Sequence, residues 1–92
     1  MAKIIIPTPL RKFTGNQASI EVDAVDIRES INALTNLYPD LKKQLLTDAG
    51  EIRQFVRIFL GDEDIKVLNR ERTPVTEDAV ISIIPAIAGG SK

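Results

Sequence analysis

Apolar residues recur at two different spacings along this chain, and the switches between them mark out its elements. Residues 2–10, AKIIIPTPL, are a β-branched run interrupted by Pro7 and Pro9. Proline cannot donate a ladder hydrogen bond, so the run predicts a strand that ends, or meets a sheet edge, there. After the turn residues TGN at 14–16, QASIEV alternates Ala18, Ile20 and Val22 with Gln17, Ser19 and Glu21, the period of a strand with one buried face. Together these segments predict a hairpin, residues 3–10 paired with 17–22 around Gly15.

The period then lengthens. Ile27, Ile31, Leu34, Leu37 or Tyr38, Leu41 and Leu45 recur at steps of three and four with polar residues between them, which predicts an amphipathic helix. Asp26 sits at the N-cap position and Glu29 at the third helical position, where both can accept hydrogen bonds from first-turn amides. Pro39 should end or kink the helix, with a further turn or two over 40–46. Period two resumes in RQFVRIFL (53–60); GDED turns and IKVL runs back as a second hairpin. A polar connection, RERTPVTEDA, leads to a last strand, VISIIP, stopped by Pro85. One helix is thus available to cover one face of a sheet, an α+β arrangement.

Composition narrows the possible chemistry. The 92 residues suit one small domain, and 43% hydrophobic with 27% charged residues is near the globular average. A net charge of −1, with both signs interspersed, offers no field for phosphates or anionic lipid, so neither nucleic acid nor membrane is expected as a partner. The chain has no cysteine and no histidine. The usual general base, the thiol nucleophile and the commonest zinc ligands are therefore missing, which argues against an ordinary enzyme active site. The start, MAKIIIP, is too short for a signal-peptide core, and the cytoplasm is the expected location.

Two stretches could carry binding. Over 53–60 the alternation sends Gln54, Val56, Ile58 and Leu60 to one side and Arg53, Phe55, Arg57 and Phe59 to the other. The first set predicts core; the second mixes aromatic and guanidinium groups as interface centres do. The other stretch is PAIAGGSK at 85–92, a small-residue tail whose Gly89 and Gly90 lack Cβ atoms and can thread a narrow channel. Asp62, Glu63 and Asp64 lack the alternate spacing and central glycine of a calcium loop and read as a solvated turn, so no metal site is expected. Tyr38 falls on helix periodicity and reads as packing.

The element order resembles the β-grasp fold of ubiquitin-like proteins, a mixed sheet of four to five strands with one main helix on one face. The ending IIPAIAGG resembles the C-terminus of ThiS/MoaD-type sulfur carriers, closest to the branch serving cysteine or related metabolites. Ile6, Pro7, Thr8, Leu10, Arg11, Thr14, Gly15, Phe55, Val56, Ile58, the acidic run 62–64 and residues 83–90 carry the likeness. It implies a domain over 1–86 and a tail over 87–92. It further implies that a ubiquitin-activating-type enzyme, using ATP, adenylates the Gly90 carboxylate, and that a sulfurtransferase or other donor converts it to a thiocarboxylate. A biosynthetic enzyme then accepts the sulfide. The carrier is a cosubstrate with no catalytic residue and no bound cofactor. Partner contacts are expected from Arg53, Phe55, Arg57 and Phe59, and from Ala86, Ile87 and Ala88 in the tail.

Two positions depart from the family pattern. Where relatives often have a glycine before the last strand, this chain has Glu77, Asp78 and Ala79, so Asp78 is expected to supply any positive φ. Ser91 and Lys92 follow the glycine pair, so the chain is expected to be a precursor cut between Gly90 and Ser91 by a metal-dependent peptidase of the deubiquitinase type. A residue pair left over from expression is the alternative. Two other functions fit one tail on this fold, a tag joined to lysines of other proteins and a binding module that is never activated.

Overall fold

The computed structural model describes residues 1–85. Among the described residues five strands form one mixed sheet: β1 (Ala2–Ile5), β2 (Ser19–Val22), β3 (Val56–Leu60), β4 (Glu63–Asp64) and β5 (Val80–Pro85), in the order β2-β1-β5-β3-β4. β5 runs parallel to β1 and antiparallel to β3, while β1–β2 and β3–β4 are antiparallel. α1 (Ile27–Leu37) and α2 (Pro39–Leu45) cover one face. The sheet's inward residues, Ile4, Ile20, Val22, Val56, Ile58, Ile81 and Ile83, close on Ile27, Ile31, Leu34, Leu41 and Leu45.

The helical start follows from its cap. Asp26 is extended, and its Oδ1 accepts a hydrogen bond from the Glu29 amide at 2.8 Å, satisfying one of the donors that a helix N-terminus leaves free. Glu29 reaches back one residue further than a capping box requires, accepting from the Val25 amide at 3.3 Å. Proline disfavours helical backbone in the residue before it, and Tyr38 sits at φ −131, ψ 82, dividing α1 from α2. Of the two candidates for the helix stripe, Tyr38 packs against the core while Leu37 is 60% exposed. After the bend at Pro39, Leu41 and Leu45 rejoin the core.

The first connection is not the predicted hairpin loop. The strand stops at Ile5, and Thr8–Phe13 forms a 3-10 helix with proline in its first turn, where a missing N–H costs no bond. This helix buries Leu10. Gly15 and Asn16 then take φ of 64 and 68, and the Gln17 amide donates to the Thr14 carbonyl at 3.2 Å, a turn that brings the chain into β2. Ala18, expected inside with Ile20 and Val22, is exposed.

Later elements differ too. β3 begins at Val56, not 53, and IKVL forms a 3-10 turn, Ile65–Val67, after a two-residue β4. The turn into β4 uses Gly61 at φ 62. The polar connection contains a third 3-10 turn, Arg70–Arg72, entered with Arg70 at φ 54. It then runs beside the start of α1, where the Ile27 amide donates to the Thr73 carbonyl and the Val75 amide to the Val25 carbonyl, both at 3.0 Å. Asp78 does not have positive φ; the Thr76–Ala79 turn closes with the Ala79 amide on the Thr76 carbonyl at 3.1 Å, which an ordinary right-handed conformation achieves.

Candidate functional site: the open sheet face and the root of the tail

Directly opposed residues on neighbouring strands share a face, so the register shows what the uncovered side of the sheet presents. Val56 and Ile58 of β3 and Ile81 and Ile83 of β5 point into the core. Their alternates point away. Arg57 lies opposite Ile84, Phe59 opposite Ser82, Ser82 opposite Ile5, and Val80 opposite Lys3. Ile84 is 46% exposed and Val80 41%; Arg57 is exposed, and Phe59 and Ile5 are half-buried. Single exposed aliphatics are ordinary on a protein surface. A contiguous set across three strands is the kind of patch that marks an interaction surface.

The structure separates the four expected contact residues of 53–60. Arg57 and Phe59 share the open face. Phe55, 41% exposed, stands one residue before β3 at the same end of the sheet. Arg53 does not continue the alternation, because the chain turns just ahead of β3, with the Val56 amide donating to the Arg53 carbonyl at 3.0 Å. Its Nε donates to the Lys43 carbonyl and its amide to the Leu45 carbonyl, both at 2.9 Å. Arg53 is thereby tied to α2 and lines a groove of about 500 Å³ on the helical side with Glu51, Asp64, Lys66, Arg70 and Glu71. Ile84, Val80 and Ile5 were not among the expected contacts, although the alternation of VISIIP carries the signal for the first two.

β5 is held by β1 on one side and β3 on the other, with Pro85 opposite Val56, so it is a central strand fixed on both edges. Ala86, Ile87, Ala88, Gly89, Gly90 and Ser91 lie outside the described residues. Within them, every buried side-chain nitrogen and oxygen has a hydrogen-bond partner, and no group of three acidic residues could hold a metal ion. No helix among them is long and apolar enough to cross a membrane. The arrangement presents an open face beside the end of the last described strand.

Residues 4–90 match the ThiS family, a span that takes in all of the sheet but the first two residues of β1, both helices and the glycine pair. Sulfur carrier protein CysO of Mycobacterium tuberculosis is 30% identical over 89 residues, covering 95% of this chain and 96% of the relative. Among solved structures, a chain of the Amycolatopsis orientalis BexX/CysO complex superposes with a TM-score of 0.88 at 27% identity, covering 98% of this chain and all of that one. SAMP1 from Haloferax volcanii has a TM-score of 0.83 at 16% identity, covering 97% and 98%, and shares the fold. The fold is the β-grasp, and the glycine pair falls where the family's matched region ends: the chain belongs to the ThiS family of ubiquitin-like sulfur carrier proteins, which are carriers and not enzymes.

Proposed function

We propose that Gly90 is the working residue: its carboxylate is adenylated with ATP by a ubiquitin-activating-type enzyme and converted by a sulfurtransferase or other donor to a thiocarboxylate. The sulfide passes to an accepting enzyme of metabolite biosynthesis in the cytoplasm, and the carrier returns as carboxylate. The observation that carries this reading is the family match running through the glycine pair, on a chain whose central strand ends at Pro85, shortly before it. The BexX/CysO complex shows that a relative of this fold docks on a partner. Because the sequence continues past Gly90, a metal-dependent peptidase first removes Ser91 and Lys92. Intact mass of the protein recovered from cells tests the proposal. A species ending at Gly90 and heavier by the difference between sulfur and oxygen is expected; ladders of conjugates that survive denaturation, without that species, would make the chain a tag instead.

Docking on the activating enzyme uses the open face, with Phe55, Arg57, Phe59 and Ile84 at its centre and Ala86, Ile87 and Ala88 following the tail into the channel. Arg53, on the helical side of the same end, contributes at the rim. Phe55→Ala should cost about 0.5 kcal/mol of stability, as at other exposed positions, and at least about 2 kcal/mol of binding, as an aromatic anchor does. Urea melts and titration calorimetry read the two. A stability loss of about 3 to 5 kcal/mol, the cost of truncating a core aromatic, with binding intact would place Phe55 in the core.

A further inference from the structure

Charges that alternate along the sequence are sorted by the fold. β1 and β5 are parallel and β3 runs against them, so the end of β1, the end of β5 and the start of β3 coincide. The 3-10 helix Thr8–Phe13 leaves that end, α2 packs on it, and Arg53 hydrogen-bonds to α2 there. The stretches 8–13, 39–45 and 53–57 hold Arg11, Lys12, Lys42, Lys43, Arg53 and Arg57 against Asp40, with Asp48 and Glu51 in the turn that joins α2 to Arg53. Two of these cations are fixed in place by backbone carbonyls, Arg11 through Nε on Ile6 at 3.0 Å and Arg53 on Lys43 at 2.9 Å. The opposite end, where β1 and β5 start and β2 and β3 finish, gathers the stretches 21–26, 62–64 and 76–79, with eight carboxylates, against Lys3, which lies opposite Glu21 and Val80. A chain with a net charge of −1 therefore carries an excess of cations at the end where β5 finishes and of carboxylates at the other.

We infer that this basic collar draws the carrier, tail first, onto an acidic rim around the tail-entry channel of its adenylating enzyme. The inference rests on the proposed activation of Gly90 and adds how the two proteins find their orientation. The collar adjoins the open face through Arg57 and surrounds the strand from which the tail leaves, so a surface that swallows the tail must approach it. An acidic rim is attracted by the collar and repelled by the far end, which favours the productive approach before any apolar contact forms. Such steering shows in the association step and weakens as salt shortens the range of the field.

The full chain, treated with its processing peptidase, is presented to the adenylating enzyme with ATP, and kcat/KM for pyrophosphate exchange is followed from about 0.01 to about 1 M ionic strength, over which the Debye length falls from about 30 to about 3 Å. For the unaltered chain it should fall at least about tenfold. Lys12→Glu with Lys43→Glu should lower it about tenfold at low salt, through KM with kcat retained, and flatten the salt dependence. Arg28→Glu with Arg72→Glu, an identical change in net charge at exposed positions off the groove that Arg53 lines, should change it less than about twofold; thermal melts check that both variants fold. Equal losses from the two pairs, or exchange indifferent to salt, would overturn the collar while leaving the activation reading intact. No exchange from the unaltered chain overturns both. Tighter binding of the collar to a short single-stranded RNA than to the enzyme would overturn the collar's assignment to a protein partner.

Discussion

A chain that ends at Gly90 is expected to support pyrophosphate exchange with the adenylating enzyme and ATP, while the chain that continues into Ser91 and Lys92 gives none until a peptidase has acted. Adenylation needs a carboxylate oxygen as nucleophile, and in the longer chain Gly90 has only a peptide carbonyl. Two extended residues put the next free carboxylate roughly 7 Å further out, where a misplacement of about 1 Å can already cost about a hundredfold. The Lys92 ammonium would also have to enter a channel suited to glycine. Pro85 is held in the sheet opposite Val56, so β5 cannot slide back to take up added length. The comparison is made with purified components and no peptidase. Equal exchange from both chains would show that processing is unnecessary; a difference of at least about a hundredfold is the expected result.

The second large effect is on stability. Ile81 has no exposed surface and sits in the central strand opposite Ile4 of β1 and Leu60 of β3. Ile81→Ala removes buried methyl and methylene groups where flanking strands on both sides prevent collapse into the gap, and should cost about 2 to 5 kcal/mol. Against a typical total of about 5 to 15 kcal/mol, much of the domain's margin would go. Ile84→Ala, on the same strand but on the open face, should cost only about 0.5 kcal/mol. Urea titration reads both as shifts in midpoint at unchanged slope. Similar costs at the two positions would contradict the division of faces and with it the open surface assigned to docking.

Local pattern was most legible where a single element decides burial. Ile27, Ile31 and Leu34 follow helix spacing into the core, Asp26 caps, and Pro39 breaks the helix, each dictated by neighbours three or four residues away. The last strand was legible for the same reason. Alternation misled at 53–55, where period two continues by coincidence through a turn and assigned Arg53 to a strand it does not enter. It also misled at IKVL, which has strand composition but follows a β4 too short to carry it. Nothing local reveals that Ile84 faces Arg57, or that Lys12, Lys43 and Arg53 come to one end. Those neighbours depend on the parallel pairing of residues 3–5 with 80–82, a contact across nearly the whole chain. The charges looked mixed because their separation exists only after that pairing.

That same pairing governs when the carrier can first exist during synthesis. β1 and β2 emerge early, but a lone pair of strands is marginal in water, and the middle of the sheet stays unfilled until residues 80–82 leave the ribosome. Long-range pairing is slow to find and leaves apolar edges uncovered meanwhile. Gly90 follows only a few residues behind the strand that completes the domain. Ile5, Ser82 and Phe59 come side by side only once that strand is seated, so an enzyme that grips the open face before taking the tail, as proposed above, would pass over a chain whose middle strand is still missing, whether or not its glycines are already free of the ribosome.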